Sequence, residues 1–222
     1  MRTSQAGAST FTQRKRRDQL VACAIDAVFD LGFQRASVAE VARRAGVSKG
    51  VVTYHFPAKE DLIRAVVADV LDTMSDYMEP RLLAAEPGTF PERYLDVYVT
   101  SWVGYLRTHA RPVIALVRIY HSFRDESGQP DAALRALLDA RARDVAVLTY
   151  VMELGQTRGT LGAFSAPVMA ATAKAVIDDL MLQYAADPDL DLEAYGAALA
   201  TLFRRATAAP DPLAGRAQLE ER

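Results

Sequence analysis

The chain has 222 residues, a formal net charge of −2 at pH 7, 50% hydrophobic and 8% aromatic residues, and one cysteine. This length supports one large domain or two small ones, and a single cysteine excludes an internal disulfide framework. Since the sequence shows neither a signal-peptide segment nor an uncharged run long enough to span a membrane, we expect a soluble, cytoplasmic protein.

The charge is distributed unevenly along the chain. Residues 1–64 contain eleven Lys and Arg against six Asp and Glu, whereas residues 65–222 contain fifteen against twenty-two. A basic end on an acidic body orients a molecule toward a polyanion and keeps the rest of the molecule away from it.

The chain begins with small polar residues, and we expect residues 1–12 to form a disordered arm. Four cations follow at 14–17, where a helix with apolar spacing is predicted to run from about 14 to 31 and to end at Gly32. Cations are unfavourable at the positive end of a helix. The cations therefore indicate either a solvated helix end or a contact with DNA phosphates or the minor groove.

Residues 37–56 predict two short helices joined by a tight turn. Ser37 and Glu40 have the spacing of a capping box, Gly46 suits the turn, and Ser48 suits the N-cap of the second helix. Val52 and Phe56 then point inward together. This pattern predicts a helix-turn-helix domain over residues 13–57, and the alternative is an ordinary helical hairpin in a core.

The outward face of the second helix is free of acids and suits phosphates and base edges. We expect phosphate contacts around the second helix and base contacts from Gly50, Val51 and Thr53. The full set of predicted DNA-binding residues is Ser37, Ser48, Lys49, Gly50, Val51, Thr53, Tyr54, His55 and Lys59.

The run from about 17 to 71 resembles the DNA-binding domain of the tetracycline-repressor (TetR) family of bacterial regulators, most closely at 47–62, VSKGVVTYHFPAKEDL. Thr53 departs from the family, which commonly has an aromatic residue there, and Ala58 replaces the usual Ser, Thr or Asn. The resemblance implies a sequence-specific regulator, by default a repressor, that binds a palindromic operator as a homodimer.

The rest of the chain is predicted to be helical, which makes the protein all-α. A connecting helix should span 58–79, and the Pro-rich segment from Pro80 to Pro91 should begin an effector-binding and dimerisation domain over 80–208. Further helices are expected at about 91–108, 111–123, 130–157, 166–186 and 191–208. Residues 209–222 should form a loose tail.

The last two long helices are rich in alanine and apolar on more than one face. A helix that is apolar all round needs neighbours on two sides, and small residues allow helices to approach closely. We expect these helices to pair with a second copy across a two-fold axis, and the alternative is a buried pair within a monomer.

Aromatic and polar residues of the body predict a pocket for an apolar small-molecule effector. Each of these residues could instead belong to the core or the surface. The predicted set is Tyr98, Trp102, Tyr105, Arg118, His121, Tyr150, Asp178 and Tyr184, with Tyr120 and Met152 nearby.

The sequence shows no phosphate-binding glycine loop, no nucleophile elbow and no cluster of metal ligands, and its three histidines are scattered. We therefore expect no cofactor, no metal and no enzymatic activity. An activator, or an architectural protein that binds DNA without sequence preference, is the alternative to a repressor.

Overall fold

The computed structural model describes residues 3–84, 90–122 and 132–209. These residues fold into helices without a β-sheet, and Leu161 and Ala208 form an isolated bridge. The all-α prediction is therefore confirmed. The helices are α1 (Thr3–Leu31), α2 (Val38–Ala45), α3 (Lys49–His55), α4 (Lys59–Leu83), α5 (Tyr94–Thr108), α6 (Ala110–Ser122), α7 (Ala132–Thr157), α8 (Ala166–Ala186) and α9 (Leu192–Thr207).

Two predicted helix boundaries are wrong. Helix α1 begins at Thr3, so residues 3–12 continue the helix and do not form a disordered arm. Adding residues to an existing helix costs far less than nucleating a new one, which explains this extension. Helix α4 passes through Pro80 and ends at Leu83, and the Pro80 carbonyl accepts a hydrogen bond from the Ala84 N–H at 3.0 Å. The predicted tail, from residue 210 onward, lies outside the described residues.

The chain divides into two compact units, and each unit is built from two segments. Unit 1 comprises Met1–Met74 and His109–Asp139, and unit 2 comprises Ser75–Thr108 and Ala140–Arg222. The predicted division at residues 57 and 79 therefore differs from the observed one, because α6 belongs to unit 1 and α4 contributes residues to both units.

Unit 1 has a continuous apolar core. It is formed by one face of α1 together with residues of α2, α3 and α4, and α6 adds Ala115, Leu116 and Ile119. Arg111 of α6 also forms ion pairs with Asp26 and Asp30 of α1, at 2.8 and 3.1 Å. These contacts attach α6 to α1 and fix the helix that supports α2 and α3.

Unit 2 packs α5 against α8 and α9. Gly196 of α9 permits a close approach, because a Cβ atom there would lie 2.5 Å from Cγ2 of Val103 on α5. Among the described residues, no helix is both long enough and apolar enough to cross a lipid bilayer.

Candidate nucleic-acid interface and effector site

The α2–turn–α3 segment has the geometry of a helix-turn-helix. The Glu40 N–H donates to the Ser37 hydroxyl at 3.2 Å, which caps the first turn of α2. Gly46 adopts φ 66°, a left-handed conformation that glycine accommodates without strain, and α2 ends there. Val52 and Phe56 are 0% and 1% exposed and anchor α3 in the core. Their burial fixes which face of α3 points outward.

Only half of the predicted capping box forms. The Glu40 carboxylate does not return to the helix start, because it accepts hydrogen bonds from Arg43 and Arg44 at 2.7 to 2.8 Å. These two guanidinium groups lower the pKa of Glu40 to about 2. Arg44 also pairs with Asp30 of α1 at 2.6 Å. The acids of unit 1 therefore neutralise these two arginines of α2.

The outward face of α3 consists of exposed polar groups. Lys49, Gly50, Thr53 and Tyr54 are exposed, and Tyr54 is 72% exposed, the largest fraction of any tyrosine that the structure describes. Val51 and His55 are half-buried. Ser37 is exposed at the start of α2, and Ser48 is exposed at the N-cap of α3.

Two hydroxyl groups of this face differ in what they can offer a partner. The Ser48 side chain makes no capping hydrogen bond, so its hydroxyl can both donate and accept. The Thr53 hydroxyl lies 3.2 and 3.1 Å from the carbonyl oxygens of Lys49 and Gly50, to which it donates. Thr53 therefore offers a partner its methyl group and the acceptor lone pairs of its oxygen.

Lys59 occupies a more constrained position than its sequence suggests. Its ammonium group donates to the Phe33 carbonyl at 2.9 Å and lies 4.5 Å from the centre of the Phe33 ring. Burial lowers the pKa of Lys59. One of the three ammonium N–H groups is thus used within the fold, and two remain for another acceptor.

The cations of α1 lie next to the end of α3. The Arg17 guanidinium is 4.9 Å from the centre of the Phe56 ring, and Phe56 directly follows α3. Residues 14–17 are all exposed, and none of them forms an ion pair with another residue that the structure describes. This basic turn, residues 14–17, therefore contrasts with the neutralised arginines of α2.

The predicted aromatic row of the effector site is present on α5. Tyr98, Trp102 and Tyr105 are 3%, 1% and 0% exposed, and the Trp102 ring centre lies 6.3 Å from that of Tyr98 and 6.1 Å from that of Tyr105. The Tyr98 hydroxyl and the Trp102 indole N–H are buried without a hydrogen-bond partner.

Asp178 lies in the same unit, in a charged cluster beside this row. The buried Lys174 ammonium is hydrogen-bonded to Asp178, lies 3.9 Å from the Asp144 carboxylate, and is 4.9 Å from the centre of the Trp102 ring. Arg141 pairs with Asp178 from the other side at 2.9 Å. Sequence reasoning missed Lys174 and Asp144, although the spacing of Lys174 and Asp178 on α8 is typical of a helical ion pair.

The remaining predicted residues lie on α6, α7 and α8, and their part in an effector site stays a prediction. Arg118 belongs to unit 1 and donates to the backbone carbonyls of Val28 and Phe29, and His121 is exposed in the same unit. Tyr150 is 65% exposed on α7. Tyr120 is 40% exposed and contacts His121, and Tyr184 is half-buried on α8.

Unit 2 also contains a small cavity of about 10 Å³. Met152 and Tyr94 line it, as does Glu92, whose Oε2 atom is buried without a partner. This volume accommodates one water molecule at most. The other lining residues are Pro91, Leu95, Leu148, Val151, Leu161 and Thr207.

Comparisons with known proteins agree with this geometry. Residues 24–66 match the family described as bacterial regulatory proteins, tetR family. The chain is 36% identical over 78 residues to the HTH-type transcriptional regulator BetI of Klebsiella pneumoniae (strain 342), a match that covers 35% of this chain and 40% of BetI. The match to BetI of Escherichia coli K12 (strain DH10B) is 35% identical over 81 residues, covering 36% and 42% of the two chains. The chain thus matches about two fifths of the length of these curated relatives.

Solved structures resemble a larger part of the chain. A tetR-family regulatory protein from Rhodococcus RHA1 superimposes with a TM-score of 0.72 at 19% identity, covering 89% of this chain and 99% of that one. NalD, the secondary repressor of the MexAB-OprM multidrug efflux pump in Pseudomonas aeruginosa, gives 0.69 at 18% identity, covering 89% and 98%. Residues 24–66, which include the helix-turn-helix, thus match the tetR family of bacterial regulatory proteins, and the described helices share the fold of solved tetR-family structures.

Proposed function

We propose that this protein is a sequence-specific DNA-binding transcriptional regulator, a homodimeric repressor that a small-molecule effector releases from a palindromic operator. The observation that carries the proposal is the outward face of α3. It presents exposed polar groups and no acid at the end of a basic unit, while Val52 and Phe56 hold the helix in place. A helix presented in this way fits the DNA major groove.

Gly50 supports a close approach of DNA to α3. A Cβ atom at this position would meet only the Ser48 hydroxyl oxygen, at 3.7 Å, so packing within the protein does not require glycine there. A neighbouring base edge would require it. In this arrangement Val51 contacts a thymine methyl group and Thr53 accepts a hydrogen bond from a base. The DNA phosphates are bound by Ser37 at the start of α2 and by Ser48, Lys49, Tyr54, His55 and Lys59.

The basic turn adds a second DNA contact. Because Arg17 lies against Phe56 at the end of α3, the cations at 14–17 are held next to the recognition surface. Their exposure and lack of ion pairs within the described residues leave them available to phosphates that flank the bases read by α3.

Exposed apolar residues on the last two helices support the homodimer. Val168 and Leu182 of α8 are 64% and 39% exposed, and Ala175 lies midway between them at the spacing of one helix face. On α9, Ala194, Ala198 and Leu202 form a similar exposed stripe, and Leu202 is 58% exposed. Two such stripes pair with their copies in a two-fold, four-helix interface.

Effector release requires the effector to favour one of two states. Helix α4 contributes residues to both units, so a ligand in unit 2 that moves α4 also moves the attachment of α3. The effector site lies in unit 2, near Tyr98, Trp102 and Asp178. Ligand-dependent loss of operator affinity supports this mechanism, and unchanged affinity at saturation with a ligand excludes that ligand as an inducer.

The proposal is tested by selection of binding sites from a pool of random DNA duplexes at near-physiological salt. Enrichment of a palindrome supports a dimeric, sequence-specific regulator. Retained binding without enrichment would favour an architectural protein, and no binding would refute the proposal for the protein alone.

Leu202→Glu tests the dimer in sedimentation experiments. A charge in place of the large apolar residue of the α9 stripe should dissociate the dimer and abolish cooperative binding to the palindrome. Thr157→Glu, an exposed position on α7 outside both stripes, is the matched control and should leave the dimer intact. A wild-type monomer that still enriches a palindrome would contradict the proposed interface.

A further inference from the structure

Two unpartnered polar groups lie on one face of α5. Tyr98 and Trp102 are four residues apart, and neither the Tyr98 hydroxyl nor the Trp102 indole N–H has a well-aligned hydrogen-bond partner, although the indole is close enough to the Tyr98 oxygen to lower the pKa of Tyr98. Each buried polar group without a partner costs about 1–3 kcal/mol. Such a group calls for an explanation, and a bound ligand that supplies the missing partner is one.

The chemistry of these groups restricts the ligand. An indole N–H can only donate, so its partner must be an acceptor. Burial, together with the negative charge of Asp144, holds the pKa of Tyr98 well above its usual range, so the hydroxyl stays protonated and can also donate. Two donors on neighbouring turns of one helix fit one oxygen atom with two lone pairs, as in a carbonyl group.

The neighbouring charges disfavour a charged ligand. The Lys174 ammonium lies 4.9 Å from the centre of the Trp102 ring and repels a cation. The carboxylates of Asp144 and Asp178 lie next to Lys174 and repel an anion. The acids and bases of this cluster are Lys174, Arg141, Asp144 and Asp178, which sum to no net charge.

We infer that Tyr98 and Trp102 form the polar anchor of the effector site, and that its ligand is an uncharged, largely apolar molecule whose carbonyl oxygen accepts a hydrogen bond from both side chains. This inference rests on the proposed regulator function. The same two helices, α5 and α8, also contain the fully buried apolar residues Val99, Leu106 and Ile177. The ligand therefore gains affinity from its hydrocarbon part and selectivity from its oxygen.

The stability of the ligand-free protein gives the first test. Tyr98→Phe removes a hydroxyl that has no partner, so the free energy of unfolding should stay the same or rise in urea denaturation. The matched control is Thr207→Val, since the buried Thr207 hydroxyl donates to the Phe203 carbonyl at 2.8 Å and its removal should destabilise unit 2. A clear loss of stability in Tyr98→Phe would show an internal partner and overturn the inference.

Ligand titrations give the second test. Trp102 is the sole tryptophan of the chain, so intrinsic fluorescence reports directly on this site. The probes are methyl alkyl ketones of graded chain length, with alkylamines and alkanoates of the same lengths as controls. We expect saturable binding of ketones, at least about tenfold weaker binding of the charged series, and about fivefold weaker ketone binding in Tyr98→Phe, the value for one hydrogen bond.

Either of two results would overturn the inference: no saturable ketone binding at any chain length, or equal affinity for ketones and charged analogues. Operator binding measured in the absence of probe separates this failure from a failure of the proposed function. If the protein binds its operator but does not respond to ketones, the proposed regulator function is retained and only the Tyr98 and Trp102 anchor is rejected.

Discussion

The two units differ in where their polar groups lie and in whether those groups have partners. The described part of unit 1 has exposed cations without ion pairs at the basic turn and exposed hydroxyl groups along α3, and its acids neutralise Arg43 and Arg44. Unit 2 buries polar groups among apolar side chains, and leaves the Tyr98 hydroxyl and the Trp102 N–H without partners.

This difference indicates two kinds of partner. Surface groups can meet a large, rigid polyanion without any rearrangement of the protein core. Buried groups can only meet a molecule small enough to enter the core. This difference agrees with the proposed function, in which unit 1 binds DNA and unit 2 binds an effector.

The largest expected effect distinguishes a residue that stabilises the fold from a residue that contacts DNA, near the end of α3. Phe56→Ala should lower the free energy of unfolding by about 3–5 kcal/mol, because it empties a core site that is 1% exposed. Tyr54→Ala, two residues earlier and 72% exposed, should change stability by less than about 0.5 kcal/mol and still weaken DNA binding. Urea denaturation and a DNA-binding titration measure both quantities. Equal destabilisation by the two variants would contradict the assigned orientation of α3.

The second comparison concerns paired and unpaired cations. Lys49→Ala should weaken binding to every DNA sequence by about tenfold and lower the salt slope by about one per protomer, since it removes an unpaired phosphate-binding charge. Arg43→Ala should have little effect, because the Glu40 carboxylate already neutralises Arg43. Titrations at several salt concentrations provide the slopes. If Arg43→Ala changed the salt slope more than Lys49→Ala, then Arg43 and not Lys49 would be the residue that contacts phosphate.

The basic turn predicts a further reduction of the salt slope. Arg14→Gln combined with Arg17→Gln should lower the slope by about one to two per protomer and leave base preference unchanged, because phosphate contacts carry no sequence information. Arg205→Gln on α9 is a control for net charge outside unit 1. If the double variant and the control behave alike, the cations at 14–17 are only a solvated face of α1.

The smallest effect is expected in unit 2 at Asp144. Burial raises the pKa of this carboxyl in the folded protein. At pH values above the ordinary pKa of Asp, ionisation of this group therefore opposes folding. Asp144→Asn should therefore stabilise the protein by less than about 1 kcal/mol at pH 7, since the side chain is partly exposed, and the gain should vanish as the pH falls below about 4. Denaturation at several pH values measures this trend, and a loss of stability at pH 7 would contradict it.

Local signals made the helix-turn-helix predictable. The cap at Ser37, the turn at Gly46 and the apolar positions of α3 lie within twenty residues and depend on neighbours in the chain. The attachment of α6 to unit 1 was not predictable in this way. It depends on Arg111 meeting Asp26 and Asp30, which are distant in sequence and become neighbours only in the fold.

The predicted effector residues also show that contacts within one helix can be predicted from the sequence and long-range contacts cannot. Tyr98, Trp102 and Tyr105 share one face of α5, as helical spacing predicted. Arg118 was assigned to the same site because it is polar and follows soon afterward in the chain. Its hydrogen bonds to the backbone of α1 are long-range contacts, and spacing within one helix carries no information about them.

The central claim is that α3 reads DNA sequence while the surrounding cations only hold the backbone. The most direct test compares the affinity for a selected palindrome with that for a scrambled duplex of equal length and composition, at one near-physiological salt concentration. We predict that the wild type prefers the palindrome by about a thousandfold or more, that Thr53→Ala narrows this ratio, and that Lys49→Ala weakens both complexes alike. Equal affinity of the wild type for the two duplexes would contradict the claim.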